Sequence, residues 1–189
     1  MPPSSTRFEA SQLETFLTAI DAALTERAFM ILIGGGAATI GYGVRTATKD
    51  LDTLTEISRL AEAIRTARQQ TGLDIPIEPT PVADLPYEFE SRLVRVLPQL
   101  RRLEVVVPEA HDLVLSKLVR ANAGDLAAIE ELHRHRALSF DTLVDRFKTE
   151  MTHAIGDPRR LDDNFLVGIH VLFGETRRDE ARRRLDRRR

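Results

Sequence analysis

Two aspartates separated by a single residue, Asp50 and Asp52, are the part of this sequence best suited to chemistry. If Asp50-Leu51-Asp52 is a strand, alternation puts both carboxylates on one face and Leu51 on the other. Carboxylates a strand pitch apart repel each other unless protons or a cation offset the charge. A divalent metal that also binds phosphate meets that need, because Mg²⁺ takes one or two carboxylates together with phosphate oxygens. Upstream, Gly34-Gly35-Gly36 follows an apolar run from Phe29 to Ile33. Glycine lets the backbone turn sharply and approach a ligand closely. Ala37 to Tyr42 reads as a short helix whose free N–H groups face those glycines, a phosphate-binding arrangement. Alone, each signal has an ordinary explanation, a tight turn or a solvated loop. Their order and closeness join them.

The elements that must position these residues follow from periodicity. Leu13, Phe16, Leu17, Ile20 and Leu24 recur at helical spacing, so Phe8 to Arg27 reads as an amphipathic helix, capped by Ser11 or Ser5, after a disordered start over residues 1–8. Phe29 to Ile33 is the first strand. Thr53 to Gln70 reads as a helix stopped by Gly72, with Thr53 or Thr55 as its cap. Leu73 to Glu78 is a weak strand, its proline marking an edge. Asp84 to Leu97 reads as helical, and Leu103 to Val107 as a good strand closed by Pro108. From Glu109 the pattern is helical, broken at Asn122 to Asp125 and at Gly156-Asp157-Pro158. The expectation is an α+β protein: a small mixed sheet with flanking helices over residues 1–108, then a helical region over 109–189 packed on it, with a basic tail from 177.

The segment from Phe29 to Leu54 resembles the minimal nucleotidyltransferase superfamily, which shares its fold with DNA polymerase beta. It is most similar to the AbiE-type toxin nucleotidyltransferases and their uncharacterised DUF6036-like relatives. Those proteins carry a glycine turn, a short helix, an Arg-x-Thr approach and an Asp-x-Asp strand. The matches are Gly34, Gly35, Arg45, Asp50 and Asp52, with Thr46 in a shifted frame or Thr48 in the threonine role. The resemblance implies transfer of NMP from an NTP, with Mg²⁺ or Mn²⁺, to a tRNA end or a protein hydroxyl. It also implies a toxin with a cognate antitoxin.

Two divalent ions, about 3.5–4 Å apart in such sites, call for a third carboxylate, which in the superfamily lies on a later strand. Glu78 occupies the expected topological slot, and Glu104 lies on the better strand and is favoured on that ground; either can equally be an exposed strand residue. A second block, from His111 to His133, is similar to the relatives' helical motif. There Lys117 matches a lysine expected to neutralise triphosphate. Arg120 shares its helical face, and Asp125 follows as a helix cap, a partner for a basic side chain, or both. Ala128 stands where the relatives often have a second aspartate. His133 and His135 do not share a helical face, so they are poor joint ligands, and Tyr42 reads as packing.

The 189 residues are 42% apolar and 30% charged, without cysteine, which excludes disulfides and thiolate chemistry. No apolar window suits a bilayer, and the first residues lack a signal-peptide pattern, so a cytoplasmic protein is expected. Arginines crowd the last turns, either as a solvated helix or as a nucleic-acid contact. No P-loop and no dinucleotide-binding glycine pattern occurs. A metal-dependent nucleotidyltransferase is thus the leading expectation. The alternative is a degenerate member of the fold kept for binding or regulation.

Overall fold

The computed structural model describes residues 7–45, 48–81 and 83–186. It is an α+β arrangement of two compact units, Met1–Val82 with Leu93–Pro108, and Ala83–Arg92 with Glu109–Arg189.

In the first unit, α1 (Ala10–Ala23) buries Leu13, Phe16, Leu17 and Ile20 along one stripe. Its start is set by Glu9, whose N–H donates to Gln12 Oε1 at 3.0 Å, rather than by Ser11 or Ser5. β1 (Ala28–Ile31) and β5 (Leu103–Val107) are parallel, and β4 (Val94–Val96) is antiparallel to β5. β2 (Leu51–Thr53) and β3 (Ile77–Pro79) form a second, parallel pair. An isolated bridge, Leu32 to Thr53, joins the two sets, so the strands follow one another as β4-β5-β1-β2-β3. Two threonine hydroxyls reinforce the join. Thr53 Oγ1 donates to the Ile31 carbonyl at 2.7 Å, and the Ile31 N–H donates to Thr55 Oγ1 at 2.9 Å. α2 (Gly34–Tyr42) leaves the end of β1, and α3 (Ala61–Thr71) packs on α1. The Tyr42 hydroxyl donates to the Pro108 carbonyl at 2.6 Å, a packing role as expected.

Three expectations are corrected here. Asp84 to Leu97 is not one helix: a 3-10 turn at Phe89–Arg92 precedes β4, whose residues pair with β5. Strand pairing there overrides the local helical pattern. The helix expected from Thr53 begins only at Ala61, after a 3-10 turn at Ser58–Leu60, because Thr53 and Thr55 stitch the sheet. Phe8 is buried and bridges to Thr48 rather than lying in a disordered start.

The second unit contains α4 (Ala110–Arg120), α5 (Ala123–His135), α6 (Phe140–Glu150), α7 (Pro158–Phe173) and α8 (Glu175–Asp186). Phe147 and Phe165 stack at 3.9 Å between α6 and α7. Residues 83–92 are stitched to these helices: the Tyr87 N–H donates to the Glu150 carbonyl at 3.1 Å, and the Ile155 N–H donates to Asp84 Oδ1 at 3.1 Å. Arginines of α8 are engaged within the unit, Arg184 with Asp141 and Glu180, and Arg177 with Glu180. Among the described residues no helix is long and apolar enough to cross a membrane.

Candidate active site

Asp50, Asp52 and Glu78 come together in the first unit, each offering a carboxylate oxygen within 4.8 Å of the others. The backbone dictates the meeting. Asp50 and Asp52 flank the fully buried Leu51, so alternation turns both away from the core. β2 and β3 are parallel with Asp52 opposite Glu78, which puts the third carboxylate beside the second on the same face.

The glycine triplet forms the first turn of α2, directly after Ile33, rather than a turn ahead of the helix. Its N–H groups precede the first intrahelical bond, from Ala37 N–H to the Ile33 carbonyl at 3.2 Å, leaving a donor array suited to phosphate. Gly34 adopts φ +62°, and a Cβ there would lie 2.6 Å from Asp52 Oδ2. A Cβ on Gly35 would meet Thr48 Oγ1 at 2.8 Å, and one on Gly36 would meet Leu51 Cδ2 at 2.7 Å. The missing side chains therefore let the helix start sit against the acidic strand. Gly34→Ala is expected to displace the Asp52 carboxylate and to add left-handed backbone strain of roughly 1–2 kcal/mol. Mn²⁺ affinity measured by electron paramagnetic resonance should fall at least tenfold in a protein that still folds.

A hard cation with oxygen ligands fits this cluster: three carboxylates converge, and no side chain at Gly34 intrudes on Asp52. Thr48 supports it from below. It is buried, and its Oγ1 donates to the Asp50 carbonyl at 3.0 Å, which fixes the turn into β2. Arg45 is exposed, and Thr46 lies outside the described residues.

Glu104, favoured on strand quality, is not the residue brought to the aspartates; Glu78 is. Glu104 is exposed on β5 opposite Phe29, and β1 separates β5 from β2. The quality of an isolated strand carries no information about which strand it neighbours.

Lys117, Arg120 and Asp125 form an ion cluster internal to the helical unit. Arg120 grips Asp125 with two hydrogen bonds of 2.8 and 2.9 Å, and Lys117 Nζ lies 3.6 Å from the same carboxylate. Asn122 is the cap of α5, with Asp125 its reciprocal partner: the Asp125 N–H donates to Asn122 Oδ1 at 2.9 Å. Burial raises the Asp125 carboxyl, but Arg120 and Lys117 outweigh it and hold it below its ordinary range. His133 serves structure as well, Nδ1 accepting from the Leu138 N–H at 3.1 Å.

A second ion network was not legible in the sequence. Asp112, with no exposed surface, accepts from Arg92 at 2.9 and 3.2 Å and from Arg146 at 2.8 Å. Arg92 also holds Glu150, and Arg146 holds Glu109 at 2.5 Å. Burial raises the Glu109 carboxyl, yet hydrogen bonds from His111 and Arg146 prevail and lower it to about 2. Its folded-state value lies below the ordinary 4.5, so its stabilisation is present above that value and is lost as pH falls towards 2. The linked loss is at most roughly 3 kcal/mol. Glu150 and Asp125 are lowered too and act in the same direction. Helicity followed by circular dichroism should therefore collapse between about pH 5 and pH 2, and Glu109→Gln should flatten that dependence.

A mixed sheet whose first strand runs into a glycine-opened helix stands here beside three converging carboxylates. The chain belongs to the family described as "Nucleotidyltransferase of unknown function (DUF6036)", which matches residues 11–168. No curated protein and no solved structure matches the chain significantly.

Proposed function

We propose that the protein transfers a nucleoside monophosphate from an NTP to an acceptor hydroxyl, using a divalent ion held by Asp50, Asp52 and Glu78. The observation that carries this reading is the convergence of those three carboxylates within 4.8 Å. When bound, Mg²⁺ or Mn²⁺ supplies charge neutralisation at the phosphates and lowers the cost of generating the attacking oxygen. The chain's own part is to place and shield. The N–H groups opening α2, at Gly34 and Gly35, bind phosphate oxygens, and the absent side chains allow that approach. The acceptor oxygen forms a bond to the α-phosphorus as the bond to the bridging oxygen breaks and pyrophosphate leaves. The hydroxyl proton passes to Glu78, the most exposed of the three carboxylates.

The proximity of Glu78 to Asp50 and Asp52 supports the catalytic reading over a degenerate fold kept for binding or regulation, which Ala128 in place of a second helical aspartate would favour. The resemblance to AbiE-type toxins supports a tRNA end or a protein hydroxyl as acceptor, and a toxin role restrained by an antitoxin. The test incubates the protein with each α-labelled NTP, Mg²⁺ or Mn²⁺, pooled tRNA and cell protein, beside Asp50→Asn. Label transferred by the wild type alone is the expected result. Transfer with none of the four NTPs would sink the proposal.

A further inference from the structure

We infer that the β4–β5 turn and the start of β1 form a cleft for the phosphate backbone of a single-stranded nucleic acid. Arg27, Arg95, Arg101 and Arg102 line a cavity of about 150 Å³, with Glu104 as its one carboxylate. All four arginines are exposed. None has a carboxylate oxygen within 4 Å among the described residues, in contrast to Arg177, Arg178 and Arg184 of α8. Glu104 in the lining and Asp21, whose carboxylate attracts Arg102, offset part of this charge. Four guanidinium groups against two carboxylates leave the cleft positive, and a planar phosphate-matching fork is the group suited to bind a polyanion there.

The turn that displays them is built to hold its shape. Asp21 Oδ1 accepts from three successive N–H groups, of Arg101, Arg102 and Leu103, at 3.0, 2.6 and 2.7 Å. Those three donors fix the Asp21 carboxylate on the backbone of the turn. Leu97 takes φ 51°, an uncommon conformation for leucine, and the buried Leu100 anchors the loop with its N–H on the Leu97 carbonyl at 3.0 Å. The Ala28 N–H closes the join to β1 on the Arg102 carbonyl at 2.8 Å. The side chains are thus presented on fixed backbone, which reduces the ordering cost of binding.

A single strand is favoured because an exposed aromatic residue stands in register with Glu104 of the cavity lining. Phe29 is 44% exposed, follows Arg27 and Ala28, and is in register with Glu104. An exposed ring next to a basic groove is a platform for an unpaired base. Ile33, whose N–H bonds the Asp52 carbonyl, lies two residues past the end of β1 and four past Phe29, at most about 13 Å at ~3.3 Å per residue. A strand held in the cleft is within a few nucleotides of the acidic cluster. The inference rests on the transferase reading for its purpose, as the seat of an acceptor, but its binding is measured separately.

The test is fluorescence anisotropy of the full chain with a labelled 12-nucleotide oligouridylate in EDTA, across a series of salt concentrations. The wild type and Asp50→Asn should bind alike, with affinity falling as salt rises. Joint Arg95→Gln, Arg101→Gln and Arg102→Gln exchange should weaken binding at least tenfold at low salt. It should also reduce the salt slope by about 0.7 for each phosphate no longer neutralised. Phe29→Ala should weaken binding several-fold with the slope unchanged. If the triple variant misfolds, Arg27→Gln, outside the turn, gives the same reading. Absent binding by the wild type, an unaltered triple variant, or equal affinity for polyglutamate would overturn the cleft. RNA binding without nucleotidyl transfer would overturn the transferase reading and leave the cleft standing. Transfer to RNA unaffected by the triple exchange would do the reverse.

Discussion

Glu78→Gln, like Asp50→Asn and Asp52→Asn, is expected to lower Mn²⁺ affinity at least about 100-fold, whereas Glu104→Gln leaves it within twofold. The first three residues supply the converging oxygens, and a hard cation discriminates strongly on the number of charged ligands. Gln keeps the volume and one neutral acceptor, so the change removes charge with little effect on packing. Glu78 is exposed and Asp50 and Asp52 are half-buried, so none of the exchanges disturbs the core. Thermal midpoints without metal should rise slightly, because each variant relieves like-charge repulsion. Electron paramagnetic resonance of Mn²⁺ and a melting scan in EDTA measure both. A Glu104→Gln protein without metal, beside a Glu78→Gln protein with full affinity, would move the third acid back to β5.

Asp112→Ala should have the largest effect on stability, roughly 3–5 kcal/mol. Its carboxylate has no exposed surface and accepts three hydrogen bonds from two guanidinium groups. Truncation leaves Arg92 and Arg146 short of a counter-charge in a setting where side chains are only 22% and 18% exposed. Glu150 and Glu109 remain as partners, so the unit is weakened rather than left without any ion pair. Asp112→Asn keeps the shape and should fall between Ala and wild type. Urea unfolding followed at 222 nm separates the three. An Ala variant within 1 kcal/mol of wild type would show that the network contributes little net stability.

How legible the site was depended on whether its parts were local. Asp50-Leu51-Asp52 shows its geometry in three residues, because alternation alone decides which side chains share a face. Gly34 to Gly36 announced a close approach, although its partners, Asp52, Thr48 and Leu51, come from a later segment. Glu78 was harder: Pro76 and Pro79 depress the strand signal, and the parallel pairing with β2 is a long-range property. β4 was missed for a related reason. Val94-Arg95-Val96 is three residues inside a helical-looking stretch, and only β5 makes it a strand. The Asp112 network is still less visible, since its members come from segments 20 and 58 residues apart, counted from Arg92. The sheet-and-helix class was readable because the long amphipathic stripes of α1, α6 and α7 are self-contained.

Residues 83–92 interrupt the strand-bearing unit and belong to the helical one. The chain leaves the strand-bearing unit after Val82, returns to it at Leu93 and leaves again after Pro108. During synthesis the first unit therefore cannot finish when its first 82 residues have emerged: the β4–β5 hairpin has yet to be translated, leaving β1 without its parallel neighbour. The intervening loop waits longer still. Arg92 meets Asp112 after 20 more residues and Glu150 after 58, so its guanidinium spends that interval in water or bound to a chaperone. Nascent chains arrested before Glu150 should be protease-sensitive between Ala83 and Arg92, and those arrested beyond it protected. The interleaving makes the order of emergence from the ribosome part of how this protein reaches its native state.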